Sequence, residues 1–230
     1  MEFSGTFELE ETTVDEVWLA LSDPALVEQS LPGCQFLVPV EESDVNFDEL
    51  RDDASAWPDE PDADPAAIAE RAFEEDQRYA ALMQISVGPV NPTFETVVTV
   101  DDRDYPSMSA VGEGTSSNSS FEMASGMRLA ETEDGVAVEW ETEADVFGKI
   151  AQMGQRVVNP VANRVVKRFF SSVQDQLRER QLADLEERTD AGESNADETN
   201  ADGTDSSDDD RGLVDRVLGR SDGDTTDTKR

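Results

Sequence analysis

The chain contains no histidine, so acid–base chemistry near neutral pH would fall to carboxylates, a thiol or a phenol. Carboxylates are plentiful, and Glu122, Glu139, Glu141 and Glu143 stand in segments that read as strands. Paired carboxylates could pass a proton to and from a substrate. The two-residue spacing of Glu139, Glu141 and Glu143, however, places them on one strand face, with Val136, Val138, Trp140 and Val146 on the other. A solvated face accounts for them better than a catalytic pair. Cys34 is the single cysteine; it has no histidine to activate it and no partner for an intrachain disulfide. Asp208-Asp209-Asp210 lacks the glycine and the spaced ligands of a calcium loop. No catalytic residue, metal centre or resident cofactor is expected.

The elements that would position any site follow from periodicity. Phe3, Gly5, Phe7 and Leu9 alternate with polar residues as in a half-buried first strand. Thr13-Val14-Asp15-Glu16 reads as a capping box opening a helix that buries Val17, Trp18 and Leu21. Asp23-Pro24 starts a second short helix to about Leu31, which Pro32-Gly33 stops. Cys34 to Val40 reads as the second strand.

Residues 41–77 carry Asp and Glu throughout, with Pro58, Pro61 and Pro65. They read as an acidic, solvated insertion with one short helix over Ala66–Phe73, and Trp57 as its local anchor. Alternation then resumes through Tyr79, Ala81, Met83, Ile85 and Val87, and through Phe94, Thr96, Val98 and Val100. Ser107–Gly112 is a short, weak strand. Phe121, Met123, Met127 and Leu129 share a face around Gly126, where a bulge or close backbone approach is expected. From Gly148, Ile150, Met153, Val157, Val161, Val165, Phe169, Val173 and Leu177 fall at helical spacing. About 35 residues at 1.5 Å each would reach ~50 Å, with a kink at Pro160.

The ordered domain is therefore expected over residues 1–185, followed by an acidic tail at 186–230 too poor in apolar residues to fold. An island at 211–220 interrupts the tail. There Leu213, Val214, Val217 and Leu218 lie on one helical face among three arginines, either a fluctuating turn or a tethered hook for a partner or membrane surface.

The net charge of −36 excludes a polyanion such as nucleic acid as a partner and disfavours flat adsorption on an anionic membrane. It fits a cytoplasm of high salt, as in an acidic, haloarchaeon-like proteome. Met1–Gly5 has neither the basic nor the apolar region of a secretory leader, and no run of about 18 apolar residues exists. The expected location is cytoplasmic, with peripheral contact at the inner membrane face as an extension.

A curved antiparallel sheet of six to seven strands, two short helices after the first strand and a long C-terminal helix across the sheet form an α+β grip. The space between helix and sheet is either packed core or a hollow for an apolar guest. Met83, Met123, Met127 and Met153 fall there, and methionine adapts to irregular apolar ligands. With Ile85, Val98, Phe121, Trp140, Val157 and Val161 they form the candidate ligand-binding set.

Six segments then occur in order: Ser4-Gly5-Thr6-Phe7, Val17-Trp18-Leu19-Ala20-Leu21, Asp23-Pro24, Leu31-Pro32-Gly33-Cys34, Val87-Gly88-Pro89-Val90, and the run from Gly148 to Arg156 (Gly-Lys-Ile-Ala-Gln-Met-Gly-Gln-Arg). Over residues 1–40 and 79–182 the chain resembles the CoxG-like family of carbon monoxide dehydrogenase subunits, within the SRPBCC, START and Bet v 1-like helix-grip superfamily. The resemblance implies a non-catalytic accessory protein that binds a lipid or prenylquinone and serves a molybdenum-containing carbon monoxide dehydrogenase-type enzyme at the membrane. The long acidic insertion and the hydrophilic tail depart from the family's pattern. A polyketide cyclase or dehydratase on the same fold, using cavity carboxylates, Tyr79 or Arg128, is the alternative.

Overall fold

A computed structural model describes residues 1–42, 44–53, 57 and 64–193. The chain runs β1 (Glu2–Glu10), α1 (Val14–Ser22), α2 (Pro24–Ser30), β2 (Cys34–Val40), α3 (Phe47–Asp53), α4 (Pro65–Arg71), β3 (Arg78–Gln84), β4 (Thr93–Asp104), β5 (Ser107–Thr115), β6 (Ser119–Glu131), β7 (Gly135–Gly148), α5 (Lys149–Met153) and α6 (Gln155–Glu193). Seven antiparallel strands form one sheet in the order β1-β7-β6-β5-β4-β3-β2. The meander from β2 to β7 is thus extended by β1, whose Leu9 and Phe7 pair with Val136 and Val138.

Local signals act where they stand. Glu16 N–H donates to Thr13 Oγ1 at 3.3 Å and Thr13 N–H to Glu16 Oε2 at 2.7 Å, so each end of the box satisfies a helix donor otherwise left open. Asp23 caps α2 by accepting from Ala25 N–H at 3.0 Å, with Pro24 in the first turn. On β7, Val136 and Val138 are fully buried while Glu139, Glu141, Glu143 and Asp145 are exposed.

The space between α6 and the sheet is divided lengthwise. Towards the C-terminal part of α6, Phe170, Val173 and Leu177 pack on Leu9, Trp18, Leu26 and Val136. Towards its start, Val157 and Val161 join Ile150, Met153, Val87 and Phe94 in a separate cluster. Both ends are filled, and the middle is hollow.

Four expectations are corrected. Residues 41–77 are packed as well as acidic: Val45, Phe47 and Leu50 cover Phe36, Val38, Ala80 and Leu82 on the outer face of β2 and β3, and Ile68 of α4 is 3% exposed. Two helices form there instead of one, and Trp57 Nε1 donates to the Leu37 carbonyl at 2.6 Å. The C-terminal helix breaks at Gly154, whose φ of +72° only glycine adopts freely. Pro160 lies inside α6, where its missing N–H forfeits a single bond near the helix start. Gly126 carries neither bulge nor close approach: it pairs in register with Ser109 and Glu141, and an added Cβ would meet nothing nearer than 4.0 Å. The shifts of register lie between Cys34 and Phe36 and between Val100 and Asp102. Helix α6 also extends to Glu193, beyond the expected boundary at 185. The island residues Leu213, Val214, Val217 and Leu218, and Asp208–Asp210, lie outside the described residues.

A candidate apolar ligand cavity

The hollow exists because the middle strand is small on its inner face. Register carries Val100, Ala110, Ser125 and Thr142 across one row, and Val98, Gly112, Met123 and Ala144 across another. Alanine and glycine on β5 therefore leave a trough where branched residues would touch α6. Met123 and Val98 lean into it: a Cβ on Gly112 would lie 3.1 Å from Met123 Cε and 3.3 Å from Val98 Cγ2.

The cavity that results has a volume of about 440 Å³, is partly open, and is lined almost wholly by apolar side chains. Seven residues expected to bind a ligand line it: Met83, Ile85, Val98, Phe121, Met123, Met127 and Trp140. Met153, Val157 and Val161 do not. They belong to the cluster that plugs the end of the hollow beside Val87 and Phe94. Sequence reasoning left out the roof, Val166, Phe169 and Phe170, and the wall formed by Val27, Leu31 and Phe73. The helical stripe contained Phe169, but nothing local told which turns of a long stripe would face a void.

No Asp, Glu, Lys or Arg stands among the lining residues. The strand carboxylates Glu122, Glu139, Glu141 and Glu143 are exposed on the outer face, as is Arg128. Tyr79 does line the cavity, 4% exposed and edge-on to Phe73 at 4.8 Å. Burial pushes its phenol up from the ordinary value, with partial relief from a backbone hydrogen bond at Glu74. It is a neutral hydroxyl at physiological pH, and thus no base.

Cys34 is similarly silenced. Burial first, and then the Glu28 carboxylate, push its thiol up to about 12, while its Sγ donates to the Phe36 carbonyl at 3.3 Å. Iodoacetamide labelling of the folded protein at about pH 8 is expected to run at least about a hundredfold slower than in the unfolded chain, because the thiolate is the reactive form. Equal rates in both states would show the thiol to be unshielded.

Charge is segregated around the cavity. Between Asp145 and Asp175 the sequence has no acidic residue. Lys149, Arg156, Arg164, Lys167 and Arg168 in that stretch are all exposed, and none takes part in an ion pair among the described residues. Their spacing on α6 puts Arg156, Arg164, Lys167 and Arg168 on its outward face, above the roof. The outer face of the sheet is the reverse, a carboxylate surface around Glu2, Glu141 and Glu143.

Fold and cavity together define the class, a helix-grip domain of the START and Bet v 1 kind enclosing an apolar hollow. Residues 71–178 match the family described as the CoxG subunit of carbon monoxide dehydrogenase, a stretch from the end of α4 to Arg178 that holds most of the cavity. The resemblance drawn from Val87–Val90 and Gly148–Arg156 falls inside it, while the segments from Ser4 to Cys34 fall outside. No curated protein matches the sequence. Among solved structures, a conserved protein from Geobacillus kaustophilus is similar at 22% identity and a TM-score of 0.58, over 78% of this chain and 96% of that one. A protein from Thermus thermophilus is similar at 9% identity and a TM-score of 0.50, over 78% and 99%. An aromatase/cyclase from a Streptomyces species aligns at 11% identity and a TM-score of 0.48, over 78% and 94%. The first two show the fold. No helix among the described residues is long and apolar enough to cross a membrane.

Proposed function

We propose that this chain is a hydrophobic-ligand binding accessory protein. It holds a prenylquinone or lipid under α6 and delivers it to a molybdenum-containing carbon monoxide dehydrogenase-type enzyme. The observation that carries the reading is the cavity of about 440 Å³ with no ionisable carboxylate or base in its lining. Such a space favours apolar guests by burial alone and offers no carboxylate, amine or imidazole to move protons. The family match supports the accessory role. Of the residues the cyclase alternative would use, only Tyr79 lines the hollow, while the strand carboxylates and Arg128 lie on the outer face.

Peripheral membrane contact, at the inner face of a cytoplasmic membrane, is supported by the acid-free helix face. The total charge opposes adsorption on anionic lipid, but beyond roughly 8–10 Å salt screens it, and what a surface meets is the local patch. The expected result of native mass spectrometry after detergent-free extraction is a co-purifying prenylquinone or lipid. An empty protein that also fails to take up added quinone would overturn the carrier reading. Turnover of a polar aromatic guest would favour the cyclase.

A further inference from the structure

We infer that Thr96 is the polar anchor of the cavity: its hydroxyl holds, through one hydrogen bond, a carbonyl or hydroxyl oxygen on an otherwise apolar guest. This rests on the carrier reading and adds the chemistry of the guest to it.

Thr96 sits on β4 in the row Leu37, Ala81, Thr96, Gly114, Phe121 and Val146, which register places on the inner face. It lines the cavity and is 4% exposed, and its Oγ1 is buried with no hydrogen-bond partner. A buried hydroxyl left unpaired opposes folding, so such groups are rare in native interiors unless another molecule satisfies them. Three other polar side chains of the hollow are engaged. Ser125 Oγ and Thr142 Oγ1 lie 2.7 Å apart and bond to each other, and the Tyr79 oxygen is held by the Glu74 backbone. Trp18 and Asn159 also have buried, unpartnered atoms, but neither lines the cavity.

The glycine beside Thr96 is part of the device. A Cβ on Gly114 would fall 2.4 Å from Phe121 Cε1 and 2.9 Å from Thr96 Oγ1. Ring edge and hydroxyl therefore meet over the same glycine, and the Phe121 ring, held edge-on to Phe94 at 5.3 Å, covers the hydroxyl. Any side chain at Gly114 would collide with both. Phe121 faces the hollow, so rotation of its ring into that space uncovers Oγ1 for a guest oxygen. A threonine hydroxyl donates or accepts. The anchor thus suits ketones, quinone carbonyls and alcohols alike, and it selects against plain hydrocarbons only by the bond it adds.

The test uses two probes of matched shape, methyl naphthyl ketone and ethylnaphthalene, titrated calorimetrically into the full chain, wild type and Thr96→Val. Valine keeps the volume and removes the hydroxyl, and the variant is expected to unfold at no lower denaturant concentration than the wild type. Ketone affinity should fall by about five- to tenfold while ethylnaphthalene affinity stays or rises, and Thr96→Ser should restore the ketone preference. Equal losses for both probes would make Thr96 a packing residue and overturn the proposal, as would no loss for either. If the wild type binds neither probe nor a prenylquinone, the carrier reading itself fails, an outcome distinct from an intact carrier indifferent to Thr96.

Discussion

Asp23→Ala is expected to destabilise the folded protein by about 3–5 kcal/mol, the largest effect of any single substitution outside the apolar core. Asp23 is fully buried and serves three partners at once. Its carboxylate accepts from Arg71 Nε at 2.8 Å and Nη2 at 2.7 Å, a fork-to-fork pair, and from Ala25 N–H as the cap of α2. The Arg180 guanidinium from α6 is close enough to be favoured by the same charge, while burial lowers its pKa. Removing the carboxylate strips the Arg71 side chain, 14% exposed, of its two-pronged Asp23 partner in a site that admits little water. Breaking one partner of a buried pair costs far more than the pair contributes net. The effect should appear as a lower midpoint in urea unfolding with an unchanged slope. A loss below about 1 kcal/mol, the scale of exposed pairs, would mean that water reaches the site.

The second expected result concerns binding. Ala110→Phe should cut affinity for an apolar guest by at least about tenfold, because a ring at the middle of β5 occupies the space the guest needs. Ala110 lines the hollow between Val100 and Ser125, so the ring has a void to enter. The cost to stability should stay at or below roughly 1–3 kcal/mol, the range for moderate overpacking. Unchanged affinity in a folded Ala110→Phe variant would move the binding site elsewhere.

The strand that hollows the sheet is the one whose sequence reads as weakest. Ser107–Gly112 has no branched residue on its inner face, its one valine, Val111, being exposed, for the same reason that it makes a cavity: small side chains have little β propensity and leave volume unfilled. The strand is in fact nine residues, Ser107–Thr115, held by pairing on both sides, and pairing is not written in local composition. By contrast the capping box, the Asp-Pro helix start and the alternation on β7 act within a few residues, and all were legible. The acidic insertion misled because Val45, Phe47 and Leu50 are spaced for a surface that only the folded β2–β3 pair provides, and α4, which buries Ile68, packs on α1 far back in the chain. The lining of the hollow was legible on the strands, where period two fixes which face is inward. On the helix Met153, Val157 and Val161 fall outside that lining, since an apolar stripe says which side faces the sheet and not where the sheet falls away.

The open sheet has an unrelated consequence. Its order starts at β1 and finishes at β2, so two strands have a row of backbone groups with no neighbouring strand, the usual template for fibril growth. Each end blunts that hazard differently. Pro39 offers a newcomer no N–H, and the irregularity between Cys34 and Phe36 interrupts the flat ribbon a second chain would need. On β1, exposed Glu2, Glu8 and Glu10 would confront the same carboxylates in an antiparallel copy. A greasy interior is thereby carried by a scaffold that resists zipping onto itself at high protein concentration.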